Sequence, residues 1–465
     1  MKTVIWWIRR DLRLHDNQAL LTALSNSTSV IPLFILDPHL LNYEARARKS
    51  FLFESLDSLS SDLQQRGSRL IIREGEPILE LQKFFLESAS EMIFAEADYS
   101  PYAKKRDSGV AEVLPCEFVP GLTIHPPDSV QKADGTPYTI FTPYKNVWRS
   151  LPKPGIPFQA PIIPFPASIR LDSIKIPSYS PSTNFPCSES EAHDRFKDFF
   201  SNRLCSYEKD RDRMDINGTS GLSPYIRFGL ISARTLAFFV WKFIEQSENM
   251  ADKKSAETWM NELIWREFYY SIMDNFPNVL NHAFREGFSR ISWRDSKHDL
   301  NAWKNGLTGY PIVDAGMRQL FETGWMHNRA RMITASFLTK DLLINWQEGE
   351  KWFLEQLIDG DPACNNGGWQ WCAGTGTDAA PYFRIFNPTL QGKKFDPKGV
   401  YVRRWLPELA AVPEKYIHTP WEMPLDVQSK ISFFVGKTYP KPIVDHSKAR
   451  DRTLTAYKIS RDWKI

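Results

Sequence analysis

A chain of 465 residues is about three times the usual domain size, so it divides into two or three domains and has room to bury a large core and a cofactor. A net charge of +3 excludes a nucleic-acid binder that works through bulk positive charge and leaves any DNA contact to a local patch. Five scattered cysteines (Cys116, Cys187, Cys205, Cys364, Cys372) contain no C-x-x-C pair to suggest a zinc or redox motif, and no apolar run approaches the ~20 residues of a helical bilayer span.

The opening residues MKTVIWWIRRDLRLHDN carry an apolar run too short for a signal-peptide core and no small-residue cleavage site, so a soluble, cytoplasmic protein is expected. From residue 3 to about 120, β-rich runs (TVIWWI, VIPLFIL, RLIIRE, EMIFAEA, CEFVPG) alternate with stretches of helical period, the pattern of a doubly wound parallel α/β sheet. Arg9, Arg10 and Asp11 follow the first strand where a dinucleotide fold or P-loop would place glycines, so a nucleotide bound here is held in another way. Residues 151–190 contain nine prolines, which cannot supply helix or ladder amides and mark a connector. Beyond Glu191 the apolar spacing turns helical over 227–247, 256–275, 310–323, 327–344 and 348–358. The expected domains are an α/β domain at 1–125, a Pro-rich connector at 126–190 and an all-α domain at 191–465.

Four segments of the helical part concentrate chemistry. INGTSGLSPYIRFG (216–229) places Thr219, Ser220 and Ser223 hydroxyls beside Gly218 and Gly221 just before a helix, an arrangement that serves as an ordinary cap or binds a diphosphate. ETWMNELIWREFYY (257–270) puts Trp259, Glu262 and Arg266 on one helical face with Trp265 near Glu262, either a solvated amphipathic face or a carboxylate set among indoles. In WMHNRARMITASFL (325–338), Asn328, Arg331 and Met332 share a face, with Arg331 tying down a loop or meeting a ligand and Met332 filling core or lining a site. DGDPACNNGGWQW (359–371) crowds two carboxylates, two amides and two tryptophans around paired glycines, which suits a loop wrapped against a flat ligand, and Asp359 is the natural partner of Arg331.

With GYPIVDAGMRQL (309–320), these motifs resemble, in order and spacing, the DNA photolyase and cryptochrome family, closest to its class I cyclobutane pyrimidine dimer photolyases. The resemblance extends through RRDLRLHDN to the start and through PIVDHSKARDRTLTAYK to the end. It implies an α/β domain that holds an antenna chromophore and a helical domain that buries FAD. It implies a monomeric enzyme, deoxyribodipyrimidine photo-lyase, acting on UV-damaged DNA. In it, light-excited reduced flavin lends an electron to a flipped-out dimer and regains it after the ring opens.

Carried over by motif position, the FAD contacts are Tyr207, Thr219, Ser220, Gly221, Leu222, Ser223, Trp259, Arg266, Asn328, Arg331, Asp359, Asp361 and Asn365. Many relatives have a basic residue where this chain has Gly221. Asn365 would meet the flavin N5 edge, where an amide can donate or accept. Trp265 and Trp371 would wall the lesion cleft, since stacking on an indole is worth about 1–3 kcal/mol per base. Glu262, Asn328 and Met332 would also line it, with Arg211, Arg329 and Arg384 on flanking phosphates. Trp369, Trp346 and Trp293, in order from flavin to solvent, would relay electrons to oxidised flavin. No metal is implied.

The alternatives are a cryptochrome-type photoreceptor, a (6-4) photolyase and, from a different class, a flavin oxidoreductase or single-strand DNA-binding protein without photochemistry. Asn365, the retained Glu262, Trp265 and Met332, and the end at Ile465 without a long tail favour repair over signalling; GWMHNRARM, with Asn328 and Met332, favours the cyclobutane dimer over the (6-4) lesion. For the antenna, ADYSPYAKKRD (97–107) has Tyr102 and Ala103 where folate-using relatives carry Asn-Glu, and Asp37 in FILDP sits at a strand end. A flavin-like chromophore is expected, 8-hydroxy-5-deazaflavin first and a second flavin (FMN or FAD) next, ahead of methenyltetrahydrofolate.

Overall fold

The computed structural model describes residues 2–166, 169–180 and 185–462. The chain forms two compact units, Met1–Glu208 with Ser220–Pro277 and Lys209–Thr219 with Asn278–Ile465, a division that falls elsewhere than the boundaries expected at 125 and 190.

The first unit contains the expected sheet. Strands β1 (Thr3–Ile8), β2 (Ser29–Leu36), β3 (Ile71–Glu74), β4 (Met92–Glu96) and β5 (Cys116–Val119) pair in parallel in the order β3-β2-β1-β4-β5. The two central strands β1 and β2 are buried along their whole length, which is why their sequences read as unbroken apolar runs rather than alternating ones. Pro32 sits inside β2 opposite Trp6. It is tolerated because Val30, two residues back, directs its N–H away from β1 to Pro164 O (2.8 Å), and β3 begins to pair only at Leu33, so the missing amide breaks no ladder bond.

The proline-rich connector is held in place where it is described. Ala160 N donates to Leu14 O (3.3 Å), Asp16 N to Phe158 O (2.7 Å), and Ile174 N to Ile72 O (3.0 Å) along the outer edge of β3. Residues 167, 168 and 181–184 of that expected segment lie outside the described residues.

Helices of the first unit used below are α1 (Phe141–Ser150), α2 (Glu189–Asn202), α3 (Ser223–Phe228), α4 (Ala233–Gln246) and α5 (Met250–Asn275). The single helix expected over 227–247 is two, α3 and α4. Gly229 closes α3 in the left-handed conformation (φ +69°), and Ser232 starts α4 by accepting from Thr235 N (2.9 Å). Any side chain at 229 would run into the backbone of Arg10 and Asp11, so close packing also requires the glycine.

The second unit is helical, with α6 (Pro311–Thr323), α7 (Asn328–Ser336), α8 (Trp346–Gln356), α9 (Pro362–Ala373) and α10 (His446–Asp462). The helix expected over 327–344 leaves the α form after Ser336 and ends in a π turn over Phe337–Asp341. That widened turn buries Lys340, whose Nζ donates to Ala373 O (2.7 Å) at the end of α9 and lies 3.6 Å from the Tyr457 ring centroid. Burial pushes the Lys340 ammonium well below the ordinary lysine range. No helix among the described residues is long and apolar enough to cross a membrane.

Candidate functional site

The residues singled out by motif fall on both units. In the first, α5 is the scaffold. Trp259 is buried against Phe199 (centroids 5.5 Å) and Phe196 (6.2 Å) of α2, so its indole belongs to the core joining these helices. Trp265 lies parallel on Phe141, the first residue of α1, at 3.7 Å and 5°. That backing ring holds the indole in one orientation, as a stacking wall requires. Arg266 donates from Nη2 to Leu122 O (3.0 Å) and leaves Nη1 buried with no hydrogen-bond partner among the described residues. Glu267 accepts the N–H groups of Ile124 and His125 and the Trp148 indole N–H, fastening α5 to the segment after β5. Burial pushes its carboxyl up to about 7. Glu262, the expected functional carboxylate, is only partly buried.

Also in the first unit, Gly221 takes the left-handed conformation (φ +64°) just before α3. Tyr207 is buried edge-on to Phe199 at 5.8 Å. Because α3 is six residues long, its dipole is short, and the expected diphosphate contact cannot rest on the helix end alone.

In the second unit, Arg331 and Asp359 pair as expected, Nη2 to Oδ2 at 2.8 Å, with Arg331 Nε also donating to Met326 O (2.8 Å). The other oxygen, Asp359 Oδ1, is buried without a hydrogen-bond partner among the described residues. A buried acceptor left unpaired beside a cation marks a position for a ligand donor. Asn328 and Met332 do meet, Nδ2 to Sδ at 3.8 Å.

The expected loop at 359–371 is instead a helix from Pro362 onward. Asp361 caps α9 by accepting from Ala363 N (3.0 Å) and Cys364 N (3.1 Å), and Pro362 occupies its first turn. Gly368 is therefore a helix-interior glycine, costing about 1 kcal/mol relative to alanine. A Cβ there would meet nothing within 4 Å, so the glycine relieves no crowding within the protein and leaves open space along the helix. The unpaired buried Oδ1 of Asp359 is an acceptor that an N–H of a bound flavin can satisfy, so the residues fit FAD.

Asn365 donates from Nδ2 to Glu350 O (2.9 Å), which orients its amide, and its neighbour Asn366 donates to Glu350 Oε1 (3.0 Å). Glu350, on α8, is not part of any motif, yet it sets both amides; its burial pushes the carboxyl up to about 7. A carboxyl raised on folding contributes stability that is complete below its unfolded value near 4.3 and is lost as pH rises through about 7. Glu350→Gln keeps the acceptor for Asn366 and removes the titration. Thermal melts across pH 5 to 8 should show the parent losing stability relative to the variant, by on the order of 2 kcal/mol at pH 8; parallel curves would contradict this.

Trp369 is 2% exposed and packs edge-on to Phe353 (4.9 Å) and Trp303 (6.0 Å). Trp346 is buried in the same core, Trp293 is partly buried beside it and edge-on to Tyr457 (6.0 Å), and Trp371 is partly buried against it. Of the three tryptophans expected to form a relay, Trp369 and Trp346 are buried and Trp293 is partly buried. Arg329 is ion-paired with Asp212 (2.6 Å) and lies over the Phe395 ring (4.4 Å), so its charge is partly offset, while Arg384 is exposed. Arg211 stands next to Asp212 in the chain.

At the strand ends of the first unit, the switch point between β1 and β4 is nearly filled. Arg9 pairs with Asp107 (2.6 Å) and Arg10 with Asp98 (3.4 Å), leaving a cavity of about 10 Å³. Asp37, just past β2, accepts from His39 N (2.9 Å) and from the Tyr102 hydroxyl, and the Tyr102 ring stacks on His39 at 4.5 Å. The two segments expected to line an antenna pocket therefore touch.

Comparison with known proteins agrees with this layout. The model for DNA photolyase matches residues 4–163, and that for the FAD binding domain of DNA photolyase matches residues 259–459. The chain is 41% identical to a deoxyribodipyrimidine photo-lyase of Escherichia coli strain K12, with 100% of each chain covered. Among solved structures, a bacterial class III photolyase from Agrobacterium tumefaciens matches with a TM-score of 0.93 at 38% identity, covering 100% of this chain and 98% of that one. An archaeal photolyase from Sulfolobus tokodaii with two FAD molecules matches at 0.83 and 32% identity, covering 98% and 100%. The expectation of class I rests on the motifs alone. Matched end to end at this identity and by both family models, the chain belongs to the DNA photolyase family.

Proposed function

We propose that this protein repairs cyclobutane pyrimidine dimers in UV-damaged DNA by light-driven electron transfer, with the domain at 191–465 binding FAD and the domain at 1–125 an antenna. The observation that carries the reading is the Arg331–Asp359 pair with its unpaired buried Oδ1, in a chain similar along its whole length to a deoxyribodipyrimidine photo-lyase. FAD, when bound and reduced, supplies on illumination the electron that opens the cyclobutane ring. The protein's part is placement and charge. Arg331 offsets negative charge on the ring system, Asp359 accepts from it, and Asn365, oriented by Glu350, presents an amide to its edge. Trp265, fixed by Phe141, and Trp371 stack on the extruded bases, Glu262 accepts a base N–H, and Asn328 and Met332 contact the lesion. Arg211, Arg329 and Arg384 hold the flanking phosphates.

The test is illumination of the reduced, FAD-containing protein with oligonucleotides bearing one defined lesion. Thymines should be restored from a cis-syn dimer and not from a (6-4) product. Repair of the (6-4) lesion alone, or of neither, would overturn the reading in favour of a (6-4) enzyme or a photoreceptor.

The tryptophan relay gives a separable expectation. Trp293→Phe should slow photoreduction of oxidised FAD at least tenfold while leaving dimer repair by chemically reduced protein within about twofold, because electron supply and lesion binding use different residues. Transient absorption and product chromatography read the two; equal losses would refute the assignment.

The antenna we propose is flavin-like, 8-hydroxy-5-deazaflavin or a second flavin, rather than methenyltetrahydrofolate. Ala103 stands where folate-using relatives carry the anchoring Glu, its neighbour Tyr102 is bonded to Asp37 and stacked on His39, and a solved relative contains two FAD molecules. Reconstitution with each chromophore, followed by energy-transfer measurements, decides it; uptake of the folate alone would overturn the choice.

A further inference from the structure

We propose that Arg195, on α2, is the cation that holds the diphosphate of FAD in this chain. The inference rests on the FAD reading above and adds a residue to it that lies outside every motif. A diphosphate carries negative charge that amides and hydroxyls alone offset weakly, and the loop at 219–223 has only neutral side chains: Thr219, Ser220, Leu222 and Ser223 around Gly221. The missing charge stands directly against the loop. A Cβ built on Gly221 would lie 3.3 Å from Arg195 Nη1 and 4.0 Å from its Cδ, so the guanidinium covers the space that a side chain at 221 would need. A long residue at 221 and the present position of Arg195 exclude each other. The cation is relocated to a neighbouring helix rather than lost.

Arg195 is also held ready. Its guanidinium lies 5.3 Å from the ring centroids of both Phe185 and Tyr225, and Nη2 donates to Glu191 Oε1 (2.9 Å) one turn back on α2. Tyr225 is itself fixed, its hydroxyl donating to Pro186 O (3.0 Å). Nε is buried and has no hydrogen-bond partner among the described residues. A purely structural arginine would account for the rings and the Glu191 pair but not for a buried unpaired N–H on a guanidinium that faces a glycine. The Glu191 pair is an i, i+4 contact with both side chains about a quarter or more exposed (26% and 30%), the kind that contributes little and yields to a stronger anion.

The test measures FAD affinity of the purified protein and of Arg195→Gln and Arg195→Lys by equilibrium release, at about 20 mM and about 1 M salt. The glutamine variant should bind FAD at least tenfold more weakly at low salt, the lysine variant within about threefold of the parent, and the gap between glutamine and parent should narrow at high salt. Glutamine and lysine variants that bind alike, or a loss that salt leaves unchanged, would show that Arg195 acts only through packing and would overturn the proposal with the FAD reading intact. A parent chain that takes up no FAD would overturn both.

Discussion

Arg331→Ala is expected to destabilise the protein by about 3–5 kcal/mol and to abolish retention of FAD. The Asp359 side chain is 3% exposed, and Arg331 supplies its hydrogen bond and its counter-charge. Removing the cation leaves a buried carboxylate whose Oδ1 already lacks a partner, together with an orphaned Met326 carbonyl. The double variant Arg331→Ala/Asp359→Ala should therefore be more stable than Arg331→Ala alone, because it deletes the stranded charge as well. Chemical denaturation of the parent, both single variants and the double variant gives the coupling energy. A single-variant loss below about 1 kcal/mol would mean that water screens the pair and that it does not organise the site.

The second large effect is expected at Gly349. Alanine inside a helix normally gains about 1 kcal/mol over glycine, and Gly349 lies within α8. Here the added methyl would fall inside van der Waals contact of the Trp369 indole and 2.6 Å from Leu338 Cδ2. Trp369 cannot yield, because Phe353 and Trp303 hold it edge-on from other sides. Gly349→Ala should thus cost about 1–3 kcal/mol despite the better helix propensity, and, on the relay proposed above, should slow photoreduction of FAD by displacing Trp369. Differential scanning calorimetry and the photoreduction rate check both parts; a raised Tm would show that the core accommodates the methyl.

The two effects differ in origin. Arg331 acts through a hydrogen bond and a counter-charge to a buried carboxylate, so its loss should leave the tryptophan core packed. Gly349 acts through volume, so its cost should appear in the packing around Trp369. Measuring FAD retention and near-ultraviolet circular dichroism of both variants separates damage to the charged pair from damage to the tryptophan core.

The sequence by itself determined the elements whose signals are local. Continuous apolar runs specified the buried parallel strands β1 and β2, and helical periodicity placed α6 almost to the residue and α5 from 256 on, missing its polar first six residues. The motifs identified the family and brought Asn328 to Met332 and Arg331 to Asp359, because i, i+4 spacing and opposite charge carry that information without a third dimension. Local signals misled where backbone geometry outweighed composition. The glycine- and amide-rich stretch after Asp359 reads as a loop, yet Asp361 and Pro362 start a helix through it, and Gly229 divides a helix whose apolar period runs on unbroken. Only the tertiary structure decided which side chains back the residues named by motif. Phe141 behind Trp265, Glu350 behind Asn365 and Arg195 against Gly221 match no motif, because these contacts depend on where separate helices pack and not on neighbours in sequence.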